Sequence, residues 1–309
     1  MKVIDSHIHL SSLANQRLLK WQGDHVLNKN CRLEDYVEEN SLEVDGIIII
    51  EFSALNTENH QGTIDEYKYY SRVIQGTLDG EEGSNDLKHL VKAVIPWVPM
   101  NEGADKVESY IENYKDDSFP YVKGFRYLLQ DKPPQVMTTP QFISSLKYLD
   151  DNNFTFDWGI DLRCGGWWQF EETLEVFQKV PNVKYIINHL CKPTYKAEDV
   201  ERWGKFMKSM YELTPNSYMK LSGGFSELEK NDDLDECVEL IYPWFKIVMD
   251  LWGVERTIWA SNWPVCAMFT DDLNKRWFTV TEKLFDRINL PVKDRQRIYN
   301  ENYLSAYNL

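Results

Sequence analysis

The chain has 309 residues, and its 34 basic and 49 acidic side chains give a formal net charge of −15. Such a charge argues against nucleic acid or an anionic membrane as a partner. No apolar run approaches the ~20 residues of a membrane-spanning helix, and the first residues lack the apolar core of a signal peptide. The five cysteines are scattered without a CxxC pair, which favours a cytoplasmic location over a disulfide framework.

Eight short apolar runs, several of them rich in Val and Ile, predict buried parallel strands. Their bounds are Val3–His9, Val44–Phe52, Val91–Val98, Val122–Leu128, Phe154–Asp161, Lys184–His189, Tyr218–Ser222 and Thr257–Asn262. Helical periodicity lies between and after them, at Leu33–Glu43, Thr63–Leu78, Pro140–Asp150, Trp168–Lys179, Glu198–Leu213, Leu234–Trp252 and Leu273–Ile288, with a weaker candidate at Glu102–Tyr114.

This alternation of strands and helices predicts an α/β fold, a (β/α)₈ TIM-type barrel that forms a single domain over residues 1–309. An open doubly wound sheet alternates in the same way and is the competing interpretation. However, no glycine-rich phosphate loop follows the first strand, and this disfavours the open sheet.

Three of the six histidines stand at predicted strand ends, where a barrel gathers its chemistry. His7 and His9 share one face of the first strand because side chains alternate with a period of two, and His189 ends the sixth strand. Neutral imidazole is a common zinc ligand, so the pattern indicates a metal site or an acid–base cluster. The competing interpretation is buried histidines bonded to the backbone.

Other polar side chains end further strands. Arg126 presents a planar guanidinium fork for a carboxylate or carbonyl oxygen, or else forms a structural salt bridge. Asp161 and Arg163 share the polar face of the fifth strand, so we expect them inside the barrel as pocket residues or as each other's partners. Glu51 ends the second strand and is a weaker candidate. Asn262 on the last strand can accept a hydrogen bond but cannot take a proton.

Five motifs occur in order on the predicted strands: His7-x-His9, Gly124-Phe-Arg126, Asn188-His189-Leu-Cys-Lys192-Pro193, Lys220-Leu-Ser-Gly and Ser261-Asn262-Trp-Pro. This set resembles the amidohydrolase superfamily, specifically the amidohydrolase-2 branch that contains sugar lactonases and dicarboxylate lactonases. The resemblance covers nearly the whole chain. It implies a distorted (β/α)₈ barrel in which water adds to a lactone carbonyl, with one divalent metal ion in some members and none in others.

The resemblance also implies roles for individual residues. His7, His9 and His189 would hold the metal ion, with zinc as the expected ion, or contact the substrate, and Arg126 would bind a substrate oxygen. We expect further substrate contacts from Lys192, Trp97 and Arg163. Because strand five lacks the histidine of two-metal relatives, a single ion is expected.

Asn262 occupies the position at which this branch carries an aspartate that acts as general base. Three interpretations stay open. A natural subgroup draws its base from elsewhere, with Asp161 or Glu51 as candidates; the protein is a catalytically silent relative; or an original aspartate was replaced. His189 is a further catalytic candidate.

The expected activity is hydrolysis of a small sugar-acid lactone, an aldonolactone such as L-rhamnono-lactone, in the cytoplasm. The alternatives are a metal-dependent decarboxylase or amide hydrolase on the same fold, and a silent binding protein. Six tryptophans near strand ends offer flat faces for a sugar ring, although packing is the commoner role of such residues: Trp21, Trp97, Trp158, Trp167, Trp168 and Trp263.

Overall fold

The computed structural model describes residues 2–14, 23–52, 54, 59–224, 228, 233–268 and 273–309. Its strands are β1 Ile4–Ile8, β2 Gly46–Ile50, β3 Val91–Ile95, β4 Gly124–Arg126, β5 Thr155–Trp158, β6 Tyr185–Ile187, β7 Tyr218–Leu221 and β8 Thr257–Trp259. Its α-helices are α1 Leu33–Glu39, α2 Gln61–Gln75, α3 Ala104–Ile111, α4 Pro140–Asp151, α5 Trp167–Lys179, α6 Val200–Leu213, α7 Leu234–Leu251, α8 Leu273–Arg287, α9 Val292–Gln296 and α10 Asn302–Ala306. No described helix is both long enough and apolar enough to cross a membrane.

The strands form two parallel sheets, in the orders β1-β2-β3 and β4-β5-β6-β7-β8. Isolated bridges join β3 to β4, and Ile8 pairs with Trp263 beyond the end of β8. At this second seam the Asn262 N–H donates to the His7 carbonyl at 3.0 Å. The sheets therefore close into the predicted (β/α)₈ barrel, which is distorted by register shifts between β1 and β2 and between β2 and β3.

The strands are shorter than the apolar runs that predicted them. The fifth run extends to Asp161, for example, but β5 ends at Trp158. Helix starts follow the sequence signals more closely. Pro140 opens α4, and the Thr139 hydroxyl accepts a hydrogen bond from the Phe142 N–H at 3.2 Å, as the Thr-Pro pair predicts.

The apolar residues divide into two layers. A large outer cluster fills the space between strands and helices. Trp158 belongs to it, and its indole N–H donates to the Thr173 hydroxyl on α5 at 3.2 Å. A smaller cluster fills the barrel interior, with Ile48, Ile50, Ala93, Ile95, Ile186, Ile258, Ala306 and Tyr307. Side-chain alternation along each strand separates the two layers.

The carboxyl-terminal segment supplies part of the barrel interior, and the sequence patterns did not predict this. A π-helical stretch, Arg297–Glu301, joins α9 to α10, and Tyr307 follows α10 into the interior cluster. Its hydroxyl donates to the Asp157 carboxylate at 3.2 and 3.3 Å. Asp157 also accepts a hydrogen bond from Lys220 Nζ at 2.8 Å, and both side chains of this ion pair are fully buried. Such a pair is stable only when hydrogen bonds complete it.

We expect Tyr307→Phe to lower the free energy of unfolding by about 1.5–3 kcal/mol, because a buried carboxylate loses a hydrogen bond. Urea denaturation measures the change. Tyr121→Phe is the control, since Tyr121 is 38% exposed and such surface substitutions usually stay within ~0.5 kcal/mol. Equal losses in the two variants would show that the Tyr307 hydroxyl does not stabilise the ion pair.

Candidate active site

The structure brings three histidines together at the carboxyl end of the barrel. The ring centroid of His7 lies 4.8 Å from that of His9 and 4.5 Å from that of His189. All three side chains are buried. The alternation of β1 accounts for the first two, and the end of β6 accounts for the third.

A chain of hydrogen bonds fixes the protonation of the first two rings. Lys220 Nζ lies 3.1 Å from His7 Nδ1, and His9 Nδ1 lies 3.1 Å from the Ile50 carbonyl oxygen. An ammonium group only donates and a carbonyl only accepts. His7 therefore carries its proton on Nε2 and donates it to His9 Nε2, 3.2 Å away.

A strained turn presents the third histidine. Residues 189–192 all have positive φ angles, 54°, 52°, 55° and 47°. This left-handed conformation raises the conformational energy of a non-glycine residue by roughly 1–2 kcal/mol. The turn places His189 Nδ1 at 2.6 Å from the Ser222 hydroxyl. Gly223 lies against the ring, and a Cβ at that position would meet His189 Cβ at 3.1 Å. Local strain of this kind is typical of functional sites.

Burial keeps the histidines neutral. It is the largest cause that lowers the pKa of each ring, and it lowers the pKa of His9 to about 3. Nearby cations add to the effect: Lys220 for His7, and Arg126 for all three rings. Neutral rings can bind a metal ion, accept a hydrogen bond or accept a proton.

Arg126 forms the predicted salt bridge. Its Nη1 donates to Glu51 Oε1 at 2.9 Å and to the Glu51 carbonyl at 3.3 Å, and both side chains are buried.

A second buried carboxyl group, that of Glu66, accepts a hydrogen bond from the Phe52 N–H at 2.9 Å. Burial first, and then the Glu51 charge, raise the pKa of Glu66 well above its usual range. No sequence pattern indicated a role for Glu66, which lies within α2.

The fifth strand contributes less than predicted. Asp161 is buried, but it accepts the Cys164 N–H at 2.9 Å and lies 3.6 Å from Lys192 Nζ. Arg163 is exposed in a turn, so the prediction that it faces the barrel interior is wrong. The alternation on which that prediction depended stops when β5 ends at Trp158.

Asn262 lies at the β1–β8 seam beside the histidines. It is 3% exposed and has a φ of 68°, a left-handed conformation that asparagine tolerates better than most residues. Its side chain lies within hydrogen-bond range of His9. An amide at this position can orient a ring or a ligand but cannot accept a proton.

A cavity of about 140 Å³ lies next to Glu51. Glu51, His60, Trp97, Glu102, Tyr127 and Lys132 are among its lining residues. Trp97 therefore borders this space, although it is also a buried member of the outer cluster. Four of the other tryptophans pack in or against the outer cluster, Trp158, Trp167, Trp168 and Trp263, and Trp21 lies outside the described residues.

The His7–His9 pair fits one metal ion. Two nitrogen ligands at ~2.0–2.1 Å from a tetrahedral ion lie about 3.3–3.4 Å apart, close to the 3.2 Å between the two Nε2 atoms. The hydrogen bond from His9 Nδ1 to Ile50 is also typical of metal-binding histidines. Within the described part of the chain no three His, Cys, Asp or Glu side chains surround a common position, so His189, whose Nδ1 lies against the Ser222 hydroxyl, is not a third ligand in this arrangement.

Comparisons with known proteins identify the family of this chain. The family model described as "Amidohydrolase" matches residues 114–309. An L-rhamnono-γ-lactonase of Scheffersomyces stipitis is 47% identical over 332 aligned positions, which cover 100% of this chain and 99% of that protein. An L-fucono-1,5-lactonase of Burkholderia ambifaria is 26% identical, with 71% of each chain covered.

Solved structures share the fold. An amidohydrolase from Burkholderia multivorans with bound zinc superposes with a TM-score of 0.76 at 18% identity, and 100% of each chain is covered. An amidohydrolase 2 from Bifidobacterium longum has a TM-score of 0.66 at 19% identity, covering 100% of this chain and 99% of the other. At such identities the likeness concerns the fold, and it confirms the predicted barrel class.

The buried histidines should make stability depend on pH. An unfolded histidine takes up a proton below its pKa of ~6.5, whereas folded His9 stays neutral down to about 3. The free energy of unfolding should therefore fall as pH falls from 6.5 to 5, by up to about 1.4 kcal/mol per pH unit for each such histidine. Urea denaturation across this range should give a shallower slope for His9→Gln.

His89→Gln is the control for this measurement, because His89 lies exposed on the surface. Its slope should match that of the parent protein. An unchanged slope in His9→Gln would contradict a neutral, buried ring at position 9.

Proposed function

The chain belongs to the amidohydrolase family, and from this we propose that it is a hydrolase that opens small sugar-acid lactones by adding water to the ring ester carbonyl. L-Rhamnono-γ-lactone is the first candidate substrate. The observation that carries the proposal is the full-length, 47% identity to an L-rhamnono-γ-lactonase. The neutral histidines and the guanidinium at one barrel mouth supply groups suited to this chemistry.

We assign carbonyl recognition to Arg126. Its positive charge lies close enough to the three histidines to lower the pKa of each ring. A cation held in a buried site stabilises the oxyanion that forms when water adds to an ester carbonyl. His189 and Lys192, at the strained turn after β6, would contact the substrate, and Trp97 would contact the sugar portion from the cavity.

The base is the open point of this mechanism, because Asn262 cannot take a proton. Glu51 and Asp161 are the candidate carboxylates. We favour Glu51 because it lines the cavity and lies at the mouth beside Arg126. Asp161 instead accepts the backbone N–H of its own turn.

A further part of the proposal concerns a metal ion in the active site. We propose that a single divalent ion, with zinc as the first candidate, would be held by the Nε2 atoms of His7 and His9. When bound, such an ion polarises a carbonyl as a Lewis acid. The chain itself contributes the two rings, the Ile50 carbonyl that orients His9, and the Lys220 ammonium beside His7. The ion would take the place of the proton that otherwise lies between the two Nε2 atoms.

A second candidate function follows from Asn262. If no other group replaces the missing base, the protein binds a lactone without hydrolysing it.

We further propose a cytoplasmic location, which agrees with five cysteines that are all free thiols, and a single barrel domain over residues 1–309.

A panel of aldonolactones with a pH indicator tests the proposal. We expect L-rhamnono-γ-lactone to open well above its spontaneous rate. Elemental analysis should find at most one equivalent of divalent metal, and the same panel after chelation separates metal catalysis from direct histidine contacts. No turnover across a broad panel would overturn the hydrolase and leave the silent binder.

Substitutions at the candidate bases should differ sharply. If Glu51 is the base, Glu51→Gln should lower kcat by ~10²–10⁴-fold, and Asn262→Asp should change it little. Glu66→Gln is the matched control, since this buried neighbour has a pKa raised by burial and an amide then resembles the protonated acid. A rise of ~10²-fold in Asn262→Asp would instead identify position 262 as the site of a replaced aspartate base.

A further inference from the structure

Three buried polar atoms near the carboxyl end of the barrel have no hydrogen-bond partner among the described residues. They are Nδ2 and Oδ1 of Asn188 and Nε of Arg126. Asn188 is 1% exposed. Folded proteins leave few buried polar groups unsatisfied, and each such group calls for an explanation. A ligand that the site is built to bind is one such explanation.

The two side chains lie on the same inner surface of the barrel. Asn188 directly follows β6 in extended conformation, and its backbone N–H donates to the Trp158 carbonyl at 2.9 Å. It therefore shares a face of the strand with Ile186, which packs in the interior cluster. Arg126 ends β4, which is separated from β6 by β5 alone.

Gly159 lies beside the Arg126 guanidinium. A Cβ built at this position would lie 3.7 Å from Arg126 Nη2 and 3.9 Å from Arg126 Nε. The guanidinium therefore directs its Nε–Nη2 edge over Gly159, while both of its hydrogen bonds to described residues leave from Nη1. The missing side chain leaves a gap, the size of one methyl group, beside the Nε–Nη2 edge of the guanidinium.

The unsatisfied atoms define the chemistry that the gap would accept. Arg126 Nε and Asn188 Nδ2 donate, and Asn188 Oδ1 accepts. A hydroxyl group both donates to and accepts from an amide, and a neighbouring carbonyl oxygen accepts from the guanidinium. An α-hydroxy lactone carries these two groups on adjacent carbons.

We infer that Asn188, Gly159 and the Nε–Nη2 edge of Arg126 form a subsite that recognises the hydroxyl group next to the lactone carbonyl. Asn188 binds the hydroxyl, Arg126 binds the carbonyl oxygen, and Gly159 provides the room. This assignment rests on the proposed lactone hydrolysis and makes Asn188 a specificity-determining residue for it.

The kinetic test compares L-rhamnono-γ-lactone with its 2-deoxy analogue. The parent protein should prefer the hydroxylated lactone by about 100-fold in kcat/KM, because the analogue leaves the buried amide unpaired. Asn188→Leu, which has a similar shape but no polar atoms, should reduce this preference by at least about tenfold. Gly159→Ala should raise KM for the hydroxylated lactone by filling the gap.

Stability supplies a second readout that does not depend on turnover. Asn188→Leu should raise Tm in the absence of lactone, because it removes two unsatisfied buried atoms. Asn302→Leu is the matched control: the amide of this buried asparagine donates to the Val254 and Thr257 carbonyls at 2.6 and 2.8 Å, so Tm should fall. Gly159→Ala should leave Tm unchanged, because the added Cβ would lie no closer than 3.6 Å to any neighbouring atom.

Each outcome separates the inference from the proposed function. Two results would refute the subsite and leave the proposed hydrolase activity in place: the unsubstituted protein opens both lactones with equal kcat/KM, or Asn188→Leu keeps the preference for L-rhamnono-γ-lactone. If Asn188→Leu lowers Tm as Asn302→Leu does, a structural partner such as a buried water satisfies Asn188, and the inference falls. If the parent protein opens neither lactone, the proposed function fails and the subsite fails with it.

Discussion

The buried ion pair between Lys220 and Asp157 is the interaction on which the candidate site depends. Two fully buried charges are costly, and losing either partner would leave the other uncompensated in the barrel interior. The Tyr307 hydroxyl donates a hydrogen bond to Asp157 on one side of the pair. On the other side, the Lys220 ammonium donates a hydrogen bond to His7. Packing at the amino end of the barrel thereby determines which nitrogen of His7 carries the proton at the carboxyl end.

The same balance of charge repeats around the mouth. Each buried or half-buried cation near the histidines has an acidic partner, in the pairs Lys220–Asp157, Arg126–Glu51 and Lys192–Asp161. Burial first, and then these cations, keep the histidines neutral, and the acids limit the net charge of the mouth. Such a site suits a neutral ligand with several hydroxyl groups better than a highly charged one, because orientation then depends on hydrogen bonds.

Local patterns predicted the parts of the site that local chemistry controls. The alternation of side chains along a strand was enough to predict that His7 and His9 lie on the same face. The hydrogen-bond partner of His7 is Lys220, which lies 213 positions away in the sequence, so no local pattern could predict it. The orientation of Arg163 was mispredicted because an apolar run does not reveal where strand pairing stops. Tyr307 was missed because its role depends on the closed barrel, which no short segment contains.

Closure of this barrel joins parts of the sequence that emerge from the ribosome far apart in time. The Ser6 hydroxyl donates to the Trp259 carbonyl, 253 positions later. At ~5–20 residues per second, roughly 13–50 s separate the synthesis of these two residues. During that interval β1 has no partner at the seam, and until Tyr307 is made Asp157 lacks the hydroxyl that donates to it. Nascent chains with unpaired strand edges are prone to aggregate, so the yield of folded protein in cells should depend on chaperones that shield the incomplete barrel.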